Sequence, residues 1–210
     1  MSIGAAAQEN NVPAAGGTSC SCSDPTAKCD SSANCPNANA ICVCSENGCT
    51  SYCINNNGAM GDFPAPKNLS SILQKAGNKE IGVILTKALG KTVSFVPYKS
   101  DFGFDAQSPP ADHWDVLQYL AQNGELKINN GDFGTWKKIR EIVNAGKVNF
   151  CTSSITVGAL VNELSFFGGR KYQVVSGNPN ERLSADIKGL NIEGIINALE
   201  KHHQLLIEQK

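Results

Sequence analysis

The chain has 210 residues, a formal net charge of −1, 41% hydrophobic residues, 18% charged residues and nine cysteines. These proportions are typical of a globular protein and exclude a collagen-like or disordered composition. The near-neutral charge excludes the basic footprint of a protein that binds nucleic acid through its phosphates. The longest apolar stretch, residues 154–167, is interrupted by Asn162 and Glu163, and it is shorter than the ~20 residues of a membrane span.

Composition divides the chain into two parts. Residues 1–62 carry five acidic residues and one lysine, a net charge of −4, whereas residues 63–210 carry 17 basic and 14 acidic residues, a net charge of +3. The first part has few large apolar side chains, while periodic apolar patterns begin after it. We therefore predict a flexible tail at 1–19, a cysteine-rich module at 20–57, a linker at 58–66 and an α/β domain at 67–210.

Eight of the nine cysteines belong to the first part. They are Cys20, Cys22, Cys29, Cys35, Cys42, Cys44, Cys49 and Cys53. An even number of cysteines in a short segment without a core indicates four disulfides, although the spacing does not determine how they pair. The alternatives are eight free thiols or a metal–thiolate module. In the latter, two sets of four cysteines, each beginning with Cys-x-Cys, would bind zinc when reduced.

Six of these cysteines resemble an EGF-like module. Cys42-Val43-Cys44, followed by eight residues and Cys53, is similar to the C-x-C-x8-C ending of such modules. Cys35-Pro36-Asn37-Ala38 is similar to the polar run that precedes this ending. The resemblance covers residues 22–53 and implies an extracellular module held by disulfides.

The second part is predicted to contain two helices followed by alternating strands and helices. Apolar residues recur at helical spacing over 69–76 and 81–89, and a glycine ends each helix. Strands are predicted at 92–96, 126–128, 148–151 and 172–175. The helices after them are predicted to start at Pro109-Pro110, at Asp132, at Thr152 or Ser153, and at Asn191. This order predicts an α/β fold with a mainly parallel sheet flanked by helices.

Ligands bind at the carboxyl ends of the strands in parallel α/β sheets, and the corresponding loops are rich in polar residues. The candidate ligand-binding residues there are Lys99, Asp101, Asp132, Thr152, Ser153, Asn178 and Arg182. Cys151 is the candidate catalytic residue, because it is predicted at a strand end just before a helix N-terminus, where a thiolate is favoured. The alternative for Cys151 is a buried structural thiol.

No complete catalytic constellation and no glycine-rich nucleotide-binding motif is recognisable. We therefore expect a non-enzymatic secreted or surface protein without a cofactor, which binds a small polar ligand or a protein partner through the strand-end loops. One alternative is a thiol-dependent enzyme or sulfur carrier that uses Cys151. The other is metal binding by the cysteine-rich module. Disulfides place the protein in the extracellular space or another oxidising compartment.

Overall fold

The computed structural model describes residues 18–36, 38–54, 66–105 and 112–209. The predicted tail at 1–19 lies outside these residues except for its last two, and so does the predicted linker at 58–66 except for Pro66. Two compact units are present. The disulfide unit comprises the described residues of Met1–Gly58, Ile139–Gly168 and Tyr172–Lys210, and the second unit those of Ala59–Lys138 and Gly169–Lys171.

Two β-hairpins begin the disulfide unit. β1 (Thr18–Asp24) pairs with β2 (Cys29–Cys35), and β3 (Asn39–Ser45) pairs with β4 (Gly48–Ile54). In the first turn, Asp24 Oδ1 accepts hydrogen bonds from the amides of Thr26 and Ala27 at 2.8 and 3.0 Å. The second turn ends at Gly48, whose φ of 126° is rarely adopted by residues with a side chain.

The second hairpin continues into a four-stranded sheet with the order β10-β8-β3-β4, in which β8 is Val148–Thr156 and β10 is Arg182–Leu190. Every pair in this sheet is antiparallel. β9 (Tyr172–Ser176) and β11 (Leu206–Gln209) form a separate antiparallel pair. The predicted mainly parallel sheet is therefore wrong, because the neighbours of β8 are a strand from the cysteine-rich segment and β10, which lies outside the four predicted strands.

Two helices complete the disulfide unit, α5 (Val157–Gly168) and α6 (Ile192–His203). α5 is buried over its first eleven residues. Tyr52 of β4 meets Phe167 of α5 edge-on, with ring centroids 6.0 Å apart, so α5 lies on the face of the sheet that bears Tyr52. The predicted start of α6 is confirmed, since Asn191 Oδ1 accepts a hydrogen bond from the Gly194 amide at 2.8 Å.

The second unit holds a small antiparallel sheet with the order β5-β6-β7, formed by β5 (Val93–Pro97), β6 (Gly124–Ile128) and β7 (Gly131–Asp132). Its helices are α1 (Pro66–Lys75), α2 (Asn78–Leu89) and α3 (His113–Asn123). α4 (Phe133–Val143) begins in this unit and continues into the disulfide unit.

Local signals explain the helix ends of the second unit. The predicted helices at 69–76 and 81–89 are confirmed, and Gly90 ends α2 with a φ of 63°. At the start of α3, Asp112 Oδ1 accepts hydrogen bonds from the amides of Trp114 and Asp115 at 2.7 and 3.2 Å. This side chain satisfies amides that have no partner within the helix. The predicted start at Pro109-Pro110 lies outside the described residues.

Candidate functional site

Four disulfides join the two hairpins, so the predicted disulfide framework is confirmed. They are Cys20–Cys42, Cys22–Cys44, Cys29–Cys49 and Cys35–Cys53, with Cα–Cα distances of 6.1, 6.0, 5.8 and 5.7 Å. The first two connect β1 to β3, and the last two connect β2 to β4. The first hairpin is thereby stacked on the second, with corresponding strands linked.

The free thiol of Cys151 lies on the same side of the sheet as these disulfides. Cys151 is directly opposite Cys42 of β3 and, on its other side, opposite Asp186 of β10. It also packs against the buried cluster formed by Cys20, Cys35, Ala40 and Cys42. Its predicted position before a helix is wrong, because β8 continues to Thr156 before α5 begins.

Side chains of β8 bind the backbone of β1 along this face. Asn149 Nδ2 donates to the carbonyl of Ser23 at 2.9 Å, and Ser153 Oγ donates to the carbonyl of Ser19 at 3.2 Å. Cys151 lies between them and accepts a hydrogen bond from the Ser21 amide. Because these residues alternate along one strand, all three point to the same face. Cys151 is thus the middle member of a row that attaches β1 to β8.

The surroundings of Cys151 disfavour its thiolate. Burial raises the pKa of the Cys151 thiol, the Asp186 carboxylate raises it further, and the Ser21 amide opposes this increase. Reactive cysteines instead lie beside cations or helix N-termini, where the thiolate is stabilised. The site therefore lacks the features of an activated nucleophile.

A second polar cluster surrounds an irregularity in β8. Leu183 pairs with Ile155 and Ala185 with Thr152, so Ser184 alone opposes the two residues between them. One of these, Ser154, is 6% exposed and has a φ of 56°. Such a bulge with a left-handed residue redirects nearby side chains and is common beside functional sites.

The candidate residue Arg182 is bound to this bulge. Its Nη1 atom donates to the carbonyl oxygen of Ser154 at 2.9 Å and lies 3.3 Å from Ser154 Oγ. The Ser154 amide in turn donates to Ser184 Oγ at 3.1 Å. Arg182 is exposed to solvent, so its position is fixed by the bulge while its side chain remains accessible.

The loop before Arg182 covers the start of α5. The amides of Val157 and Gly158 donate to the carbonyls of Glu181 and Pro179 at 2.9 and 2.8 Å. Asn178, another candidate residue, shapes this loop because its Oδ1 atom accepts a hydrogen bond from the Asn180 amide at 3.0 Å. One further pair here is not indicated by any sequence pattern: His203 Nδ1 and Glu181 Oε1 are 3.0 Å apart.

The remaining candidate residues have structural contacts or belong to the second unit. Thr152 Oγ1 donates to the buried carbonyl of Ala40 at 3.0 Å, so Thr152 and Ser153 both serve strand packing and neither starts α5. Lys99 and Asp101 are exposed on the loop after β5. Asp132 caps α4. Its carboxylate accepts hydrogen bonds from the Thr135 amide and hydroxyl, and these bonds lower the pKa of the Asp132 carboxyl group.

Two further properties concern metals and membranes. Within the four described segments of the chain, no group of three or more His, Cys, Asp or Glu residues is arranged to hold a metal ion. Zinc binding by the reduced cysteines stays a prediction. In the same segments, no helix combines the length and apolar character needed to cross a membrane.

The disulfide framework, the row around Cys151 and the Arg182 bulge are thus the chemically distinctive features of the described chain. Comparison with protein-family models, with curated proteins and with solved structures finds no match to this chain.

Proposed function

We propose that this chain is a non-enzymatic, secreted or cell-surface protein that binds a small polar ligand through Arg182 and the loop at residues 178–181. The observation that carries this proposal is the position of Arg182. This residue is exposed, and its guanidinium Nη1 atom donates a hydrogen bond of 2.9 Å to the Ser154 carbonyl oxygen in the bulge. A strained backbone position costs free energy and persists where the surrounding structure enforces it.

Arginine chemistry defines the ligand class. A guanidinium group carries several donors in one plane and binds carboxylates and phosphates by two parallel hydrogen bonds. Contact with Ser154 occupies Nη1, and this contact reduces the entropy that Arg182 would lose when it binds an anion. A small anion with a carboxylate or phosphate group is therefore the proposed ligand.

The non-enzymatic part of the proposal is supported by the roles of the candidate catalytic residues. Cys151 has a raised thiol pKa and an acidic neighbour. The Thr152 and Ser153 hydroxyls donate to backbone carbonyls, and Asp132 caps a helix. These contacts stabilise the fold and do not activate a nucleophile.

The proposed secreted or cell-surface location is supported by the disulfides, since such bonds persist in oxidising compartments and are rare where thiols are kept reduced. Native protein isolated without reductant should have one titratable thiol after unfolding, and nine after reduction. Nine thiols before reduction would remove the basis for an oxidising compartment.

A titration followed by two-dimensional NMR tests the ligand site, with inorganic phosphate and citrate as the probes. Saturable shifts are expected at the amides of residues 154, 178 and 180–184, and Arg182→Gln should abolish them. Lys188→Gln is the matched control, because Lys188 lies on the same strand and is exposed. Equal responses in wild type and Arg182→Gln, or no saturable shift with either probe, would contradict the proposed site.

A further inference from the structure

Three cysteine sulfurs come together where β1, β3 and β8 meet. Cys42 of β3 is bonded to Cys20 of β1, and the free thiol of Cys151 stands directly opposite Cys42 on β8. Cys20 and Cys42 belong to one buried cluster, and the half-buried Cys151 side chain packs against it. A thiol is thus placed beside a disulfide whose nearer sulfur belongs to its own cross-strand partner.

We propose that this cluster is a thiol–disulfide exchange site, in which Cys151 and Cys20 alternate as the partner of Cys42. The Cys151 thiolate attacks the Cys42 sulfur, a Cys42–Cys151 bond forms, and the Cys20–Cys42 bond breaks with its electron pair going to Cys20. The proton lost by Cys151 is replaced by one that Cys20 gains. The step is redox-neutral and needs no external oxidant or reductant.

Backbone geometry permits the second bond. Directly opposed residues of antiparallel strands have Cα atoms about 4.5–5.5 Å apart, which lies within the range of about 4.4–6.8 Å found in disulfides. The register of β3 and β8 places Cys42 and Cys151 in this relation without any shift of either strand. The exchange therefore changes side-chain bonding while the sheet stays intact.

The neighbouring cross-link allows the exchange without detaching β1. Cys22–Cys44 lies two residues further along both strands and still joins β1 to β3 after Cys20 is released. The hydrogen bonds from Asn149 and Ser153 also hold β1 against β8. Cys20 consequently stays close enough to reverse the reaction.

Register also selects which disulfide takes part. Cys44, the nearest other cysteine on β3, is opposite Asn149 and not opposite Cys151. The Cys29–Cys49 and Cys35–Cys53 bonds join the other two strands, β2 and β4. Cys42 is therefore the sulfur that Cys151 attacks.

Burial of the Cys151 thiol disfavours its thiolate most strongly, and two neighbouring groups add smaller, opposite effects. The Ser21 amide stabilises a thiolate at Cys151, whereas Asp186 on β10 repels it. Lys188 partly neutralises Asp186 from 3.7 Å. Since the thiolate is the attacking species, exchange is slow near neutral pH and accelerates as pH rises.

One experiment uses the register to test whether Cys42 and Cys151 reach each other. Cys20→Ser leaves Cys42 and Cys151 as thiols, and oxidised glutathione should convert them to a disulfide that peptide mapping identifies. The matched control, Cys22→Ser, leaves Cys44 and Cys151, and both should remain available for alkylation. A Cys20→Ser protein that retains two thiols and three original disulfides would overturn the proposal.

A second experiment uses the wild-type protein and does not depend on how the variants fold. After incubation at pH 8.5, the protein is quenched in acid, unfolded and labelled with N-ethylmaleimide. Each chain should carry one label, mostly at Cys151, with Cys20 labelled in on the order of one chain in a hundred, as for a minor state. Cys151→Ser should show no label at Cys20. Label confined to Cys151 at every incubation time would also overturn the proposal.

Discussion

We expect the four disulfides that join the two hairpins to contribute unequally to the free energy of unfolding. We compare removal of the end bond, by Cys35→Ala with Cys53→Ala, against removal of an inner bond, by Cys22→Ala with Cys44→Ala. Each bond restricts the unfolded chain according to the ring that it closes while the other three bonds remain. The relevant ring is therefore shorter than the sequence separations of 18 and 22 residues.

Ring sizes follow from the positions of adjacent bonds. The end bond closes a ring with Cys29–Cys49 that has six residues along β2 and four along β4. About ten residues correspond to about 2.7 kcal/mol of unfolding free energy at 25 °C. The inner bond closes a ring with Cys20–Cys42 that has two residues along each strand, which corresponds to no more than about 1.9 kcal/mol.

Urea unfolding followed by far-UV circular dichroism measures both losses. Tryptophan fluorescence is unsuitable, because Trp114 and Trp136 both belong to the second unit. Thiol titration must first show one thiol and three disulfides in each variant. If loss of the inner bond lowers the free energy of unfolding as much as loss of the end bond, or more, chain entropy does not govern the contribution of these cross-links.

Three further predictions concern single side chains. Asp186→Asn removes the charge that repels the Cys151 thiolate, so alkylation of Cys151 by iodoacetamide at fixed pH should accelerate roughly threefold; an unchanged rate would contradict this. Asp112→Ala removes the α3 cap and should lower the unfolding free energy by about 1 kcal/mol in urea, whereas Asp112→Asn should retain most of it. Tyr52→Phe removes the hydrogen bond to the buried Glu163 carboxylate at 3.2 Å and should cost about 1–2 kcal/mol. Burial and Glu163 raise the pKa of Tyr52 above its ordinary value of 10.0. Unfolded Tyr52 therefore ionises first, and stability should fall as pH rises past 10 more steeply in wild type than in Tyr52→Phe.

Local signals in the sequence predicted the helices well. Gly90 and Asn191 end and begin their helices as expected, because a left-handed glycine and a side-chain cap act within a few residues. The disulfide framework was also predicted, since a segment without a core needs cross-links. Each of these inferences depends on neighbours in sequence.

The topology of the sheet depends on distant partners and could not be obtained in this way. β10 has few large apolar residues, and it lies outside the four predicted strands. β3 and β8 are about a hundred residues apart in sequence, yet Ile41 pairs with Thr152. No periodicity within either segment identifies the other, so alternation of strands and helices predicted a parallel order that the chain does not adopt.

A signal for the hairpins was present in the cysteine spacing. The two cysteines of each strand lie two positions apart in β1 and β3, six positions apart in β2 and four positions apart in β4. Every separation is even, and the side chains of a strand alternate between faces with a period of two. All eight sulfurs must therefore point to one face of each strand, as the observed stacking requires.

The candidate site was only partly predictable for a related reason. The sequence predicts that a helix starts at Thr152 or Ser153, because Ser and Thr commonly cap helices. In the structure these polar side chains bind the backbones of neighbouring strands, as Thr152 does with Ala40 and Ser153 with Ser19. Arg182 is one of the candidate residues from the sequence, and its contact with Ser154 depends on a bulge that sequence does not reveal.

The position of Cys151 and the charge beside it jointly determine the reactivity of its thiol. A free thiol opposite a disulfide sulfur can rearrange the cross-links, and the register brings Cys151 to that position. Burial and Asp186 make its thiolate scarce, which slows its attack on Cys42. Neutralising Asp186 removes part of this restraint while leaving the register unchanged. Asp186→Asn should therefore accelerate both alkylation of Cys151 and appearance of the Cys20 thiol, and parallel changes in the two rates would link them to one thiolate.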